Sequence, residues 1–272
     1  MSEAGPPAPP PQSSAWMDRG KSIGVKIVFF ALVIGVWQLV VMMKWVPRYI
    51  FPGPWDIVKS YAEMIETGEL WNSIKASMSR MLIGYSISVV GGITLGIFAA
   101  RSWLFKETVG SLIMSLQSLP SVCWLPFAMV WVGINEKAIL AVLILGALFS
   151  IAVATEGAIR NVPPIYLKVG QVMGARGYTF AKDILFFAAL PELIGGLKLG
   201  WTFAWRSLMA AELIRQNFFG VGRLLETGRN YNDVAYMMAA MITILAIGLA
   251  VDGLVFGTIE RKIRRRYGLE KP

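Results

Sequence analysis

Five stretches of the chain carry no charged residue and approach or exceed the length of a bilayer crossing: residues 27–43, 81–100, 108–135, 138–155 and 234–251. A helix rising about 1.5 Å per residue needs about 20 mostly apolar residues to cross a hydrocarbon core of about 30 Å. The third stretch is longer than one crossing requires and contains Pro120 and Pro126. Proline removes a backbone donor and bends a helix, so this stretch predicts a broken or strongly tilted span. A sixth candidate, residues 193–213, carries Lys198 and Arg206 and must be shielded by neighbours. The expectation is an all-α integral membrane protein with six transmembrane helices, at about 23–45, 80–100, 108–133, 138–156, 192–213 and 234–257. Residues 1–20, rich in Pro, Ala and Ser, read as a disordered cytoplasmic tail, and residues 261–272 as a basic one.

Charge sets the orientation. Lys and Arg gather near the N-terminus, around 101–106 and 160–182, and in the tail "ERKIRRRYG", which predicts that both termini are cytoplasmic. The net charge of +9 does not point to nucleic acid, because the basic residues cap apolar runs instead of lining one soluble face. The absence of histidine excludes imidazole catalysis and His-ligated zinc. A single cysteine, Cys123, leaves no disulfide framework and no multi-cysteine metal site. No Gly-x4-Gly-Lys-Ser/Thr is present, so no P-loop cradles a nucleotide. Outside the spans, "GPWDIVKSYAEMIETG" has amphipathic spacing with Pro54 near its start, which predicts a helix lying along the outer surface.

Polar groups inside spans are candidates for lining a path. Gln117, Ser118 and Ser121 flank Pro120, where they can face a solute or satisfy the carbonyl that proline frees. Trp124 lies deeper than Trp37, Trp45, Trp71, Trp131 and Trp201, which fall near proposed boundaries as an interfacial belt requires. The Arg206 guanidinium suits paired hydrogen bonds to an oxyanion, or a structural pairing. Glu212, six residues on, lies on another face and needs its own partner. Arg80 and Glu156 stand at span ends, where snorkelling explains them. Gly92 with Gly96, and Gly196 with Gly200, have the spacing that lets helices pack closely.

Residues 157–190 stay polar and Gly-punctuated between two apolar runs. Pro163 and Pro164 stop the preceding element, residues 165–173 have room for a short helix, and Gly174 supplies the left-handed residue that closes one. Ala175, Arg176 and Gly177 make a turn, and a second helix runs from about Thr179 toward Pro191 with Phe180, Ile184, Leu185 and Ala188 on its apolar side. Such a corner serves as an ordinary loop or docks into a cleft on a soluble partner.

"LKVGQVMGARGYTFAKDILFFAALP" resembles the cytoplasmic signature loop of ATP-binding-cassette importer permeases, Glu-Ala-Ala, three residues, Gly, nine residues, Ile-x-Leu-Pro. Aligned on Gly174, the isoleucine falls on Ile184. Lys168 stands in the Glu position, Val169 and Gly170 in the Ala positions, and Phe186 and Phe187 in the Leu-Pro positions. "GGLKLG", "AWRSLMAAE", "SLQSLPSVCWLPFAMVWVGINEKA" and "FPGPWDIV" are similar to the branch that serves nitrate, sulfonate, taurine and bicarbonate-type importers. The resemblance covers roughly residues 23–260.

It implies a type I importer permease fold over residues 21–260, in a bacterial plasma (inner) membrane, with a cytoplasmic coupling helix in segment 160–188. Lys168, Gly174, Ala175, Arg176, Gly177 and Tyr178 would meet separate ATPase subunits that bind ATP and Mg, leaving no cofactor in this chain. A second permease copy, read as a homodimer, and an extracytoplasmic solute-binding protein complete the implied assembly. An ion-coupled carrier or channel is the alternative, against which stands the shortage of intramembrane carboxylates. An intramembrane enzyme lacks any Ser/His, paired-Asp or metal-ligand constellation.

Overall fold

A computed structural model describes residues 12–214 and 219–268. Every element among them is helical. In chain order they are α1 (Gln12–Met42), α2 (Pro54–Glu66), α3 (Glu69–Arg101), α4 (Trp103–Gln117), α5 (Ser121–Val132), α6 (Glu136–Arg160), α7 (Pro164–Val172), α8 (Gly177–Leu213), α9 (Val221–Asn230) and α10 (Val234–Arg266). Five are long and apolar enough to cross a membrane, and α4 with α5, bent by 96°, makes a sixth crossing or a re-entrant pair. The helix α1 begins at Gln12, inside the segment that composition assigned to a disordered tail; residues 1–11 lie outside the described residues.

The bundle is built around α6, with α3 on one side and α8 on the other. Small residues every fourth position permit this. A Cβ at Gly92 would lie 2.7 Å from Cβ of Ile151, one at Gly96 would lie 2.5 Å from Cβ of Thr155, and one at Gly196 would lie 2.5 Å from Cβ of Ala154. Gly200 meets Ile151 from the opposite side. Both predicted glycine pairs therefore pack on α6, and Ile151 is clasped between them. The stripe on α3 extends further than the sequence reading took it, through Gly84 against Leu143 and Ser88, whose hydroxyl donates to Ile144 O at 3.2 Å.

Of the two prolines in the third stretch, only Pro120 breaks the helix. Pro126 falls in the first α-helical turn of α5, which begins at Trp124 after the tighter turn Ser121–Cys123, where its missing N–H costs no regular α-helical hydrogen bond. Pro191, expected to separate the corner from the next span, sits inside one continuous helix instead. The carbonyl that it deprives of a partner, Phe187 O, accepts a 2.7 Å hydrogen bond from the Tyr267 hydroxyl, so the helix runs on. Trp201 is a second departure: it is buried in the bundle, edge-on to Tyr85 with ring centroids 5.2 Å apart, and takes no part in an interfacial belt. The amphipathic helix α2 forms as its pattern predicts. Asp56 caps it by accepting from Gly53 N at 2.9 Å, and Tyr61 joins it to Thr243 of α10 through a 2.6 Å hydroxyl pair.

Candidate functional site

Three polar constellations interrupt this apolar bundle. The corner at one end is made by α7, which starts on Pro164 and closes on Gly174 at φ +80°. Gly174 N donates to Gln171 O and Ala175 N to Gly170 O, both at 3.0 Å, the paired bonds of a Schellman cap. Arg176 is extended, and Gly177 at φ +56° opens α8. The apolar residues Phe180 and Ile184 are not spare. They pack on Gly170, where a Cβ would come within 3.1 Å of Phe180 and 3.0 Å of Ile184, while Leu185 and Ala188 join Leu167 in a cluster with Ala158 and Leu193. Glycine in place of the family's alanine at 170 thus lets α7 sit hard against the start of α8. What α7 leaves exposed is Lys168 with the apolar Ile165, Tyr166, Val169, Val172 and Met173, continued by Arg176 and Tyr178.

The second constellation is a cavity of about 420 Å³ at the α4–α5 break. Gln117, Ser118, Ser121, Trp124 and Arg206, all singled out in the sequence, line it together with Ser150 of α6. Ser150 is 14 residues into α6, roughly 21 Å along its axis at 1.5 Å per residue, well inside a membrane crossing. The Pro120 break exposes these groups and consumes one donor among them, the Ser118 hydroxyl, which donates to Ser115 O at 2.7 Å. Leu116 O, four residues before Pro120, accepts from Leu119 N at 3.2 Å, so neither Gln117 nor the serines satisfy it. Gln117 Nε2 reaches Ser150 Oγ at 3.4 Å, and Ser207 donates to Ser121 at 2.7 Å. Arg206 is exposed to the cavity and has no hydrogen-bond or ion-pair partner among the described residues.

Glu212 is not part of this lining, which corrects the sequence expectation. It is 2% exposed and lies in the third constellation, at the end of the bundle opposite the corner. Arg80 Nη1 donates to Glu212 Oε1 at 2.7 Å and to Phe219 O at 2.7 Å, while its Nε and Nη2 fork onto Glu136 at 2.6 and 2.8 Å. Ser77 Oγ lies 2.7 Å from Glu212 Oε2 and accepts from Val221 N at 2.9 Å, and Gly222 N donates to Glu212 at 3.0 Å. Arg80 therefore does not snorkel: it ties α3, α6, α8 and the start of α9 together from a site 7% exposed. Glycines at 220 and 222 let the α8–α9 connection come this close, since a Cβ at either would stand within 2.7 Å of Glu212. The sequence signal for the cluster was the "GVG" of residues 220–222 beside two charges at span ends; the pairing itself carried none. Glu156 is likewise paired, with Lys106 at 3.3 Å and Arg160 at 3.2 Å. Lys198 finds Asp252 of α10 at 3.0 Å.

A bundle of long apolar helices with a broken span and a glycine-cornered elbow defines a multi-pass membrane protein with a polar path. Residues 92–265 match the family of binding-protein-dependent transport system inner membrane components, and the chain belongs to that family. It is similar to the putative aliphatic sulfonates transport permease protein SsuC of Bacillus subtilis, 27% identical over 233 residues, covering 86% of this chain and 84% of that one. It is also similar to the nitrate import permease protein NrtB of Leptolyngbya laminosa, 26% identical over 241 residues, covering 86% and 85%. Among solved structures, the inward-facing MetNI methionine ABC transporter shares the fold with a TM-score of 0.63 at 18% identity, over 72% of this chain and 96% of that one. The chain is an ATP-binding-cassette importer permease with the type I fold.

Proposed function

We propose that the chain, paired with a second copy of itself, forms the membrane path for a small oxyanion such as nitrate, sulfonate, taurine or bicarbonate, delivered by an extracytoplasmic binding protein. It acts as a transport subunit and not as an enzyme; ATP and Mg are bound by separate ATPase subunits. In this reading both termini and the elbow face the cytoplasm of a bacterial cell.

The observation that carries the substrate class is the unpartnered Arg206 over a cavity whose other polar groups are neutral amide and hydroxyl. A guanidinium offers two parallel N–H donors to an oxyanion, and a mid-membrane charge without a protein partner is costly unless water or a ligand meets it. Gln117, Ser118 and Ser121 add neutral hydrogen bonds that hold an anion without trapping it. The names of the relatives point the same way.

The coupling reading rests on connectivity. The elbow joins α6 to α8, and the same two helices carry Ser150 and Arg206 to the cavity. Because Gly170 locks α7 onto Phe180 and Ile184, a push on α7 passes to α8 as a rigid tilt. Lys168, exposed in the position of the family's glutamate, would then look for an acidic group on the ATPase.

The test is uptake of labelled nitrate and taurine by the complete transporter in proteoliposomes. Arg206→Gln is expected to lower uptake of the cognate anion at least about tenfold, with Arg206→Lys retaining part of it. Unchanged uptake by Arg206→Gln would remove the oxyanion reading. For the elbow, Gly174→Val forces a β-branched residue into positive φ where no neighbour is in the way, and should release the ATPase during purification.

A further inference from the structure

A second cavity, of about 470 Å³, lies where the elbow meets the bundle, between the last turns of α3, the last turns of α6 and the first turns of α8. Its volume is that of a small-molecule site. Its walls are hydrocarbon: Ile93 and Ile97, Ile159, Phe180, Leu185 and Leu193. Besides Arg101, the one polar side chain of the lining is Thr155, and its Oγ1 is buried and unpartnered, so the interior offers an occupant no exposed hydrogen-bonding group. Such a space excludes water and accepts an apolar guest.

Arg101 changes what that guest must be. It is the last residue of α3, it is exposed, and it has no hydrogen-bond or ion-pair partner among the described residues. A span end is where lipid headgroups sit, and an arginine there pairs with phosphate through its fork of donors. A free cation at the rim of a dry apolar cavity is complementary to a molecule with an anionic head and a hydrocarbon tail.

We infer that this cavity binds one acyl chain of an anionic phospholipid from the leaflet on the elbow side, with the phosphate held by Arg101. The tail packs against Gly177 and Phe180, the residues that open α8 after the elbow, so an occupied cavity stiffens the joint between elbow and bundle.

The test reads lipid retention and not uptake, so it succeeds or fails independently of the transport reading. The full chain is extracted in mild detergent from membranes containing phosphatidylglycerol and phosphatidylethanolamine, and retained lipid is identified by native mass spectrometry. One phosphatidylglycerol per chain is expected, reduced roughly fivefold or more by Arg101→Gln and by Ala181→Trp, which fills the cavity, while Arg101→Lys and Lys137→Gln, an exposed cation at the opposite end of α6, keep it. Retention that survives both Arg101→Gln and Ala181→Trp overturns the inference. So does a preference for phosphatidylethanolamine, recovery of a free fatty acid instead of a phospholipid, or the absence of any retained lipid.

Discussion

Two arginines in membrane-spanning helices of this chain stand in opposite states. Arg80 is enclosed and saturated, with Glu136, Glu212 and a backbone carbonyl occupying its donors. Arg206 is exposed to a cavity and meets no hydrogen-bond or ion-pair partner among the described residues. Both are costly to place near lipid, yet the first offsets its cost inside the protein and the second does not. A saturated charge is part of the architecture, whereas an unsaturated one is available to something that passes. Snorkelling, the reading that a span-end arginine invites, describes neither.

The sharpest contrast between the two sites is in stability. Arg80→Leu leaves the deeply buried Glu212 carboxylate without its cation and is expected to cost about 3–5 kcal/mol, read as a large fall in the unfolding midpoint of the detergent-solubilised chain. Arg206→Leu should cost no more than about 0.5 kcal/mol in the same measurement, because it removes no hydrogen bond or ion pair among the described residues. If the two variants were equally destabilised, the distinction would collapse.

Packing sets the next scale. Gly200→Leu drives a side chain into Ile151 from the face opposite Gly92 and should destabilise by about 1–3 kcal/mol. Gly195→Leu, one position before that stripe and with nothing within 4 Å of its Cβ, serves as its control and should be close to neutral. The smallest effect expected is at the Lys198–Asp252 pair, whose side chains are 33% and 46% exposed. Asp252→Asn should cost about 1 kcal/mol or less in detergent, where water screens it. A larger loss would place that pair with Arg80 on the saturated side of the comparison.

These regions also differ in how far the sequence disclosed them. The elbow was legible because its signals are local: Pro163 and Pro164 start α7, Gly174 closes it, and both act within a few residues. The cavity was legible for a similar reason, since Pro120 breaks the span and brings Gln117, Ser118 and Ser121 to one opening. The Arg80 cluster was not, because its partners lie 56 and 132 residues away in the chain and only the packing of α3, α6 and α8 brings them together. That distance is why Glu212 read as a path residue. Pro191 misled for a related cause: the hydroxyl that rescues its freed carbonyl comes from Tyr267, 80 residues on. Asp252, the partner of Lys198, lay inside the last expected span, 234–257, but only the packing of α8 against α10 brings the two charges together.

The most direct measurement is made at the cavity itself. With Cys123→Ser removing the native thiol, Ser121→Cys places one thiol on the cavity wall beside Arg206, and the complete transporter is treated with a negatively charged methanethiosulfonate reagent. The account predicts that the thiol is modified, that the transported anion slows the modification, and that uptake ceases once it is complete. Full modification with uptake intact would mean that the solute crosses elsewhere.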